Sequence, residues 1–236
     1  MKLVRLRDFT PARVGLGRAG NSLPTRDLLD FQLAHARARD AVHAKLEPAS
    51  LLLEGVQVAS AAPDRTTYLR RPDLGRKLNA ASRAELAQAS GQFDAVFIVA
   101  DGLSALAVHR HAKPLLESVL PRLQGWHLAP IVIAEQARVA IGDEIGQLLE
   151  ARLAVVLIGE RPGLSSPDSL GVYLTWDPRP GRTDAERKCI SNIRTEGLSY
   201  QAAADQLVFL VGHALARPTQ DPQLLAFENK RGSDAG

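Results

Sequence analysis

The chain has 236 residues, of which 45% are hydrophobic and 23% charged, the balance of a globular protein, which excludes collagen-like, coiled-coil and largely disordered classes. Its length suits one main domain with a smaller appendage. With 29 basic and 26 acidic residues the formal charge is +3, too balanced to require a nucleic acid or other polyanion, and the one cysteine, Cys189, excludes an internal disulfide framework and an all-cysteine metal cluster.

The segment Met1–Thr10 interleaves Lys2, Arg5, Arg7 and Asp8 with apolar residues, and no apolar run reaches the roughly 18–20 residues that span a bilayer. Neither export nor membrane insertion is expected, and a reducing cytoplasm is the default compartment. Gly15-Leu-Gly-Arg-Ala-Gly20 then matches the dinucleotide pattern G-x-G-x-x-G. That pattern works between a strand and an immediately following helix, whereas here only a short segment precedes it and Asn21-Ser-Leu-Pro24 intervenes. A tight turn packed on another surface is the expectation, and a nucleotide-binding oxidoreductase built on this loop is the alternative.

Residues 1–90 read as a helical region. From Pro24, with Thr25 as N-cap, Leu28, Phe31, Ala38, Val42 and Leu46 share one helical face, on which His35 also falls as a core or interface histidine. Pro48 closes this helix, and a second runs from about Asp73 to Ala89. Between them Arg65-Thr-Thr-Tyr-Leu-Arg-Arg-Pro-Asp-Leu-Gly-Arg-Lys77 is the densest basic stretch. With Tyr68 as its single aromatic and no recognisable binding motif, it reads as a solvated or subunit-facing surface rather than a nucleic-acid site.

Residues 91–236 carry a different pattern. Phe93–Ala100, Pro130–Ala134, Leu153–Gly159 and Gly171–Thr175 read as strands. Helices lie between them, one punctuated by Pro114 and Pro121 and another over Asp143–Ala151. Ser199 caps a last helix carrying Ala203, Leu207, Leu210 and Ala214, and the tail beyond Pro218 frays. Near-continuous apolar strands alternating with helices predict an α/β fold of the doubly wound, Rossmann-like kind, with a mostly parallel sheet covered on both faces.

In such a sheet ligands lodge beyond the carboxyl ends of the strands, which selects Asp101–Ser104, Glu135–Val139 and Gly159–Gly163. Glu160, directly after a buried strand, offers a fixed carboxylate either to amide donors of a ligand or to a salt bridge with Arg161 or another arginine. Metal binding finds little support: His109 and His111 point to separate azimuths, and His43, His127 and His213 stand alone. No H-E-x-x-H, Walker A or G-x-S-x-G pattern occurs. Arg187 and Lys188 beside Cys189 favour a thiolate, while its apolar neighbours favour a small buried hydrophobe. The residues alone give a ligand edge without a self-sufficient catalytic set.

Thr10–Gly20, Tyr68–Arg76, Asp101-Gly-Leu-Ser104, Gly159-Glu-Arg-Pro-Gly-Leu164 and Cys189-Ile-Ser-Asn-Ile193 together resemble the small (light) subunit of ethanolamine ammonia-lyase, in family order and over nearly the whole chain. The resemblance implies an adenosylcobalamin-dependent radical lyase converting ethanolamine to acetaldehyde and ammonia. It implies a large partner subunit that carries the substrate pocket, while this chain helps hold the corrin at the interface and supplies no catalytic residue. Family positions that contact the cofactor fall on Val139, Glu160 and Cys189. The absence of D-x-H-x-x-G suggests that the cofactor keeps its own benzimidazole base. Microcompartment members carry an added amino-terminal stretch that this chain lacks at its start, so the bacterial cytoplasm is the first expectation and the microcompartment lumen the alternative. The Gly15–Gly20 loop and residues 65–77 become candidate surfaces toward the large subunit.

Overall fold

The computed structural model describes residues 6, 9–10 and 12–215. Most of the reading of Met1–Thr10, and that of the tail beyond Pro218, lies outside them. Six strands form one sheet, β1 (Val56–Ala59), β2 (Ala95–Ala100), β3 (Val132–Glu135), β4 (Leu153–Gly159), β5 (Leu170–Trp176) and β6 (Arg187–Ile193), in the order β1-β3-β2-β4-β5-β6. β1, β3, β2 and β4 are parallel, whereas β5 runs antiparallel to β4 and β6 antiparallel to β5. The helices are α1 (Thr25–His43), α2 (Arg65–Arg70), α3 (Ala80–Ala87), α4 (Ala105–Val119), α5 (Ile141–Leu148) and α6 (Tyr200–Leu215).

The alternation of strand residues divides the core into two layers. Phe97 and Val99 of β2 with Val155 and Leu157 of β4 pack against α4 and α6 through Val108, Leu115, Leu207 and Val211. Val96 and Ile98 with Ala154 and Val156 pack on the other side against Leu86 of α3 and Ile141 and Ile145 of α5. Every residue of β2 and β4 is therefore buried, which is why both strands read as unbroken apolar runs. A single row crosses the sheet, Val56, Val132, Ile98, Val156, Tyr173 and Cys189, each opposite the next. Cys189 thus belongs to the α5 side.

Several expectations change. The predicted strands at 93–100, 130–134, 153–159 and 171–175 are present with small shifts of boundary, but the fourth is antiparallel. Residues 160–169 are too few for the helical crossover of a dozen or more residues that a parallel partner needs. β1 and β6 are additional. The proposed N-cap Thr25 lies inside α1, whose N-cap is Pro24, without a side-chain cap bond. The expected apolar face enters the core only at its far end: α1 stops at His43, short of Pro48, and Leu46 just beyond it is a core residue, with Ala38 and Val42 half-buried, whereas Leu28 is 42% and Phe31 40% exposed, and Leu29, Leu33 and His35 also face solvent. The helix expected over Asp73–Ala89 splits into a 3₁₀ turn at Leu74–Arg76 and α3, which Asn79 caps by accepting from Ser82 N–H at 2.8 Å. Ser199 caps α6 as expected, accepting from Ala202 N–H at 3.3 Å. No helix of the described residues is long and apolar enough to cross a membrane.

Candidate functional site

The three edge segments chosen from the sequence converge. Beyond the carboxyl ends of β2, β3 and β4 lies a cleft of about 410 Å³ whose walls include Gly102 and Leu103, Arg138 and Val139, and Glu160 and Arg161. Two glycines bring the β2 and β4 loops together. Gly102 has φ +56°, in the left-handed region, and a side chain there would strike Gly159 O; one at Gly159 would strike Ser104 O. The freed space lets Leu103 N–H donate to Gly159 O at 2.9 Å, so the two loops touch backbone to backbone.

Behind the cleft is a buried charged post. The Asp101 carboxylate, wholly buried, accepts from Gln136 N–H at 3.0 Å and Ala137 N–H at 2.9 Å, and Arg65 Nη1 lies 3.2 Å away. Burial pushes the Asp101 pKa up to about 6, against the pull of the Ala137 amide and the Arg65 charge. Arg65 also donates from Nη1 to Gly102 O at 2.9 Å and from Nε to Val42 O at 2.7 Å. One guanidinium from α2 therefore fastens the end of α1, the β2 loop and, through Asp101, the β3 loop. Tyr68, fully buried, donates its hydroxyl to Ala137 O at 3.0 Å, and the Arg65 and Arg138 guanidiniums lie 4.8 and 4.3 Å from its ring centre.

On the other wall Glu160 is held by β5 and β6. Its Oε2 accepts from Ser169 Oγ at 2.5 Å and from Asn192 N–H at 3.2 Å. Its Oε1 lies over the bare Cα of Gly171 and takes no hydrogen bond among the described residues. Neither Arg161 nor any other described arginine pairs with it, so of the two sequence readings the salt bridge is not the one formed. Cys189 faces Tyr173 across the β5–β6 ladder. Cys189 is exposed rather than a buried hydrophobe. Arg187 does not activate it, because that guanidinium is spent on a buried pair with Asp143 at 2.7 Å to each carboxylate oxygen. Desolvation at the thiol raises its pKa, the Tyr173 hydroxyl lowers it, the Glu160 charge raises it further, and the net shift is upward. Burial likewise raises Tyr173.

Val139, Glu160 and Cys189 thus surround one place: the first two line the cleft, and Cys189 adjoins its wall through Tyr173. The cleft offers a carboxylate oxygen for donors, an apolar contact and two arginines, but no nucleophile–base pair. The Gly15–Gly20 segment is not among its lining residues, and no described strand precedes that loop. The basic stretch is only partly surface, since Arg65 and Tyr68 are interior, leaving Tyr68 unavailable for stacking on a base. His109 accepts from Glu47 N–H at 3.0 Å, and His111 is buried with Nδ1 2.7 Å from the Tyr200 hydroxyl. Arg65, Tyr68, Arg138 and Tyr173 were not singled out from the sequence as site residues. The first two stood in the charged run, and only the fold turns them inward.

Residues 2–220 match the model of the ethanolamine ammonia-lyase light chain family. Among curated relatives, the ethanolamine ammonia-lyase small subunit of Azotobacter vinelandii is 58% identical over 226 residues, covering 90% of this chain and 84% of its own. The small subunit from Xanthomonas campestris pv. campestris is 56% identical over 233 residues, 93% and 86% of the two chains. That of Pseudomonas fluorescens is 53% identical over 250 residues, 98% and 91%. A match of this extent settles membership: the chain belongs to the ethanolamine ammonia-lyase light-chain family and is a component of a lyase.

Proposed function

We propose that this chain forms one wall of an adenosylcobalamin site in an ethanolamine ammonia-lyase whose large subunit supplies the opposite wall and the substrate pocket. The observation that carries the reading is the cleft at the strand ends, which gathers Val139 and Glu160, with Cys189 beside it, from three separate stretches of sequence. The residues fit a corrin chemically. Its rim carries primary amides and methyl groups, which match the free Oε1 of Glu160 and the apolar Val139 side chain. A corrin with its side arms is larger than a 410 Å³ recess, so most of its surface would meet a second polypeptide.

Adenosylcobalamin, when bound, supplies the radical chemistry by homolysis of its cobalt–carbon bond. The work of this chain is positional. Glu160, fixed by Ser169 and Asn192, orients an amide arm. Val139 excludes water from the corrin rim, and the Arg65–Asp101 post keeps the loops bearing both in register. The four parallel strands, with α4 on one face and α5 on the other, are read as a doubly wound core extended by an antiparallel hairpin. The exposed leucines of α1 and the exposed residues of 65–77 are assigned to the large-subunit contact. Bacterial cytoplasm is the expected location, with a microcompartment lumen as the alternative.

The test is co-expression with the cognate large subunit and measurement of acetaldehyde from ethanolamine. The pair is expected to turn over only with adenosylcobalamin, and neither chain alone should do so. A correctly assembled pair without turnover, or turnover by this chain alone, overturns the proposal.

A further inference from the structure

Arg138 is an arginine without an anion. Its guanidinium lies over the Tyr68 ring on the wall of the cleft, 4.3 Å from the ring centre. It enters no ion pair among the described residues, its Nε is buried without a hydrogen-bond partner, and Nη2 makes one long bond, 3.5 Å, to Tyr68 O. A buried N–H of a charged group left unpaired costs more than a neutral one, and such groups are rare in folded proteins. The buried Arg65 and Arg187 each hold a carboxylate, although Arg65 too leaves one buried nitrogen, Nη2, without a partner; the half-buried Arg138 differs in holding no carboxylate at all.

The backbone beside Arg138 is in the same condition. Arg138 N–H donates to Gly75 O at 2.8 Å, and Ile141 N–H to Arg138 O at 2.9 Å. The amides of Val139 and Ala140, between them, donate to no atom of the described residues. They sit at the start of α5, where the helix dipole favours negative charge. The two acidic side chains of the first turn are engaged elsewhere, Asp143 with Arg187 and Glu144 with Arg83. Arg161, on another wall of the cleft, has no described carboxylate partner and adds a second positive charge.

We infer that Arg138, with the free amides of Val139 and Ala140, binds an anionic phosphate-type oxygen of the ligand that enters this cleft. Resting on the cobalamin reading above, the group is the phosphodiester of the cofactor's nucleotide loop, the one anionic unit in a molecule otherwise furnished with amides. The cleft then has a division of labour: Glu160 accepts from corrin amides on one wall, and Arg138 donates to the phosphodiester on the other. The guanidinium is pre-oriented by Tyr68, so little side-chain freedom is lost on binding.

The experiment uses the assembled two-subunit protein and equilibrium binding of two probes, cyanocobalamin and dicyanocobinamide, a corrin that lacks the nucleotide loop and its phosphodiester. Arg138→Gln is expected to weaken cyanocobalamin by about 10- to 100-fold, the range of a charge-assisted hydrogen bond, while dicyanocobinamide stays within about twofold. Arg138→Lys, which keeps the charge but not the fork, is expected to fall between wild type and Arg138→Gln for cyanocobalamin only. It also serves as the test if the glutamine variant fails to assemble. Equal weakening of both probes, or no change in either, overturns the inference and leaves the cofactor reading intact. Val139→Trp separates the two: if neither probe is weakened by that bulk, the corrin does not occupy this cleft, and both readings fall together.

Discussion

Arg65 and Asp101 form an ion pair, 3.2 Å between Nη1 and Oδ2, in which both side chains are almost wholly withdrawn from water. The pair joins the region before residue 90 to the loops of the central strands, with Val42 O, Gly102 O and the Gln136 and Ala137 amides as its remaining partners. Arg65→Ala leaves the carboxylate buried without a countercharge. It is expected to cost about 3–5 kcal/mol of unfolding free energy, measured by urea denaturation. A loss below about 1 kcal/mol would show that the pair is not what joins these segments.

The same carboxylate sets a pH dependence. Its folded pKa of about 6 lies above the ordinary 3.8, so between these values the folded chain binds more protons than the unfolded one. Stability contributed at this position is full below about pH 4 and is lost as pH rises to about 6. The margin by which the native chain exceeds Asp101→Asn in thermal midpoint is therefore expected to shrink from pH 4.5 to pH 7. A margin that grows with pH contradicts the assignment.

At Gly159 the limit is space rather than charge. The β-carbon of Gly159→Ala would strike Ser104 O and crowd Asp101 O, both backbone atoms, and neither can retreat without opening the β2–β4 contact. A loss of several kcal/mol is expected by analogy with overpacked cores, roughly 1–3 kcal/mol or more. Corrin affinity should fall with it, because the displaced loops carry the cleft. Native-like stability of the variant would contradict the close approach.

Glu160→Gln keeps the shape and the Ser169 contact but removes the charge and turns one oxygen into a donor. Cobalamin affinity of the assembled complex is expected to drop about 10-fold or more, with the unfolding midpoint changed by only a degree or two. An unchanged dissociation constant would remove Glu160 from the cofactor wall.

Cys189 is accessible yet poorly ionised. Because its thiol pKa is raised, iodoacetamide alkylation of the isolated chain at pH 7.5 is expected to be slower than that of free cysteine, accelerating above pH 9. Tyr173→Phe removes a hydroxyl that favours the thiolate and should slow it further. Rapid labelling at neutral pH would contradict this environment.

The central strands were legible in the sequence because burial on both faces leaves no polar residue to interrupt Ala95–Ala100 or Leu153–Gly159. The cleft was legible for a related reason, since ligand sites follow from where such strands end. Other features depend on distant partners. β6 buries Arg187, Ile190 and Ile193, every third residue, and exposes Cys189, Ser191 and Asn192, so the register shift against β5 hides the two-residue period of a strand, and an arginine in the core is credible only once Asp143 is opposite it. β1, Val56-Gln-Val-Ala59, is four residues long and is a strand because β3 offers it a ladder. The apolar stripe of α1 has the right period, but only its far end, at Leu46, reaches the core, for period reports that a face is apolar and not what it meets. Arg138 falls within Glu135–Val139, one of the edge segments the strand pattern selects, but that it holds no carboxylate is visible only in the fold.

The ladder between β1 and β3 has a practical meaning for anyone who would trim this polypeptide. Cutting before residue 91 would not release an independent C-terminal half but strip an outer strand from the sheet, baring the amides and carbonyls of Val132–Glu135 as a template for mispairing. It would also delete the guanidinium that neutralises Asp101. Fragments designed for crystallography or fusion should begin upstream of Thr25, where the chain has yet to enter its first helix.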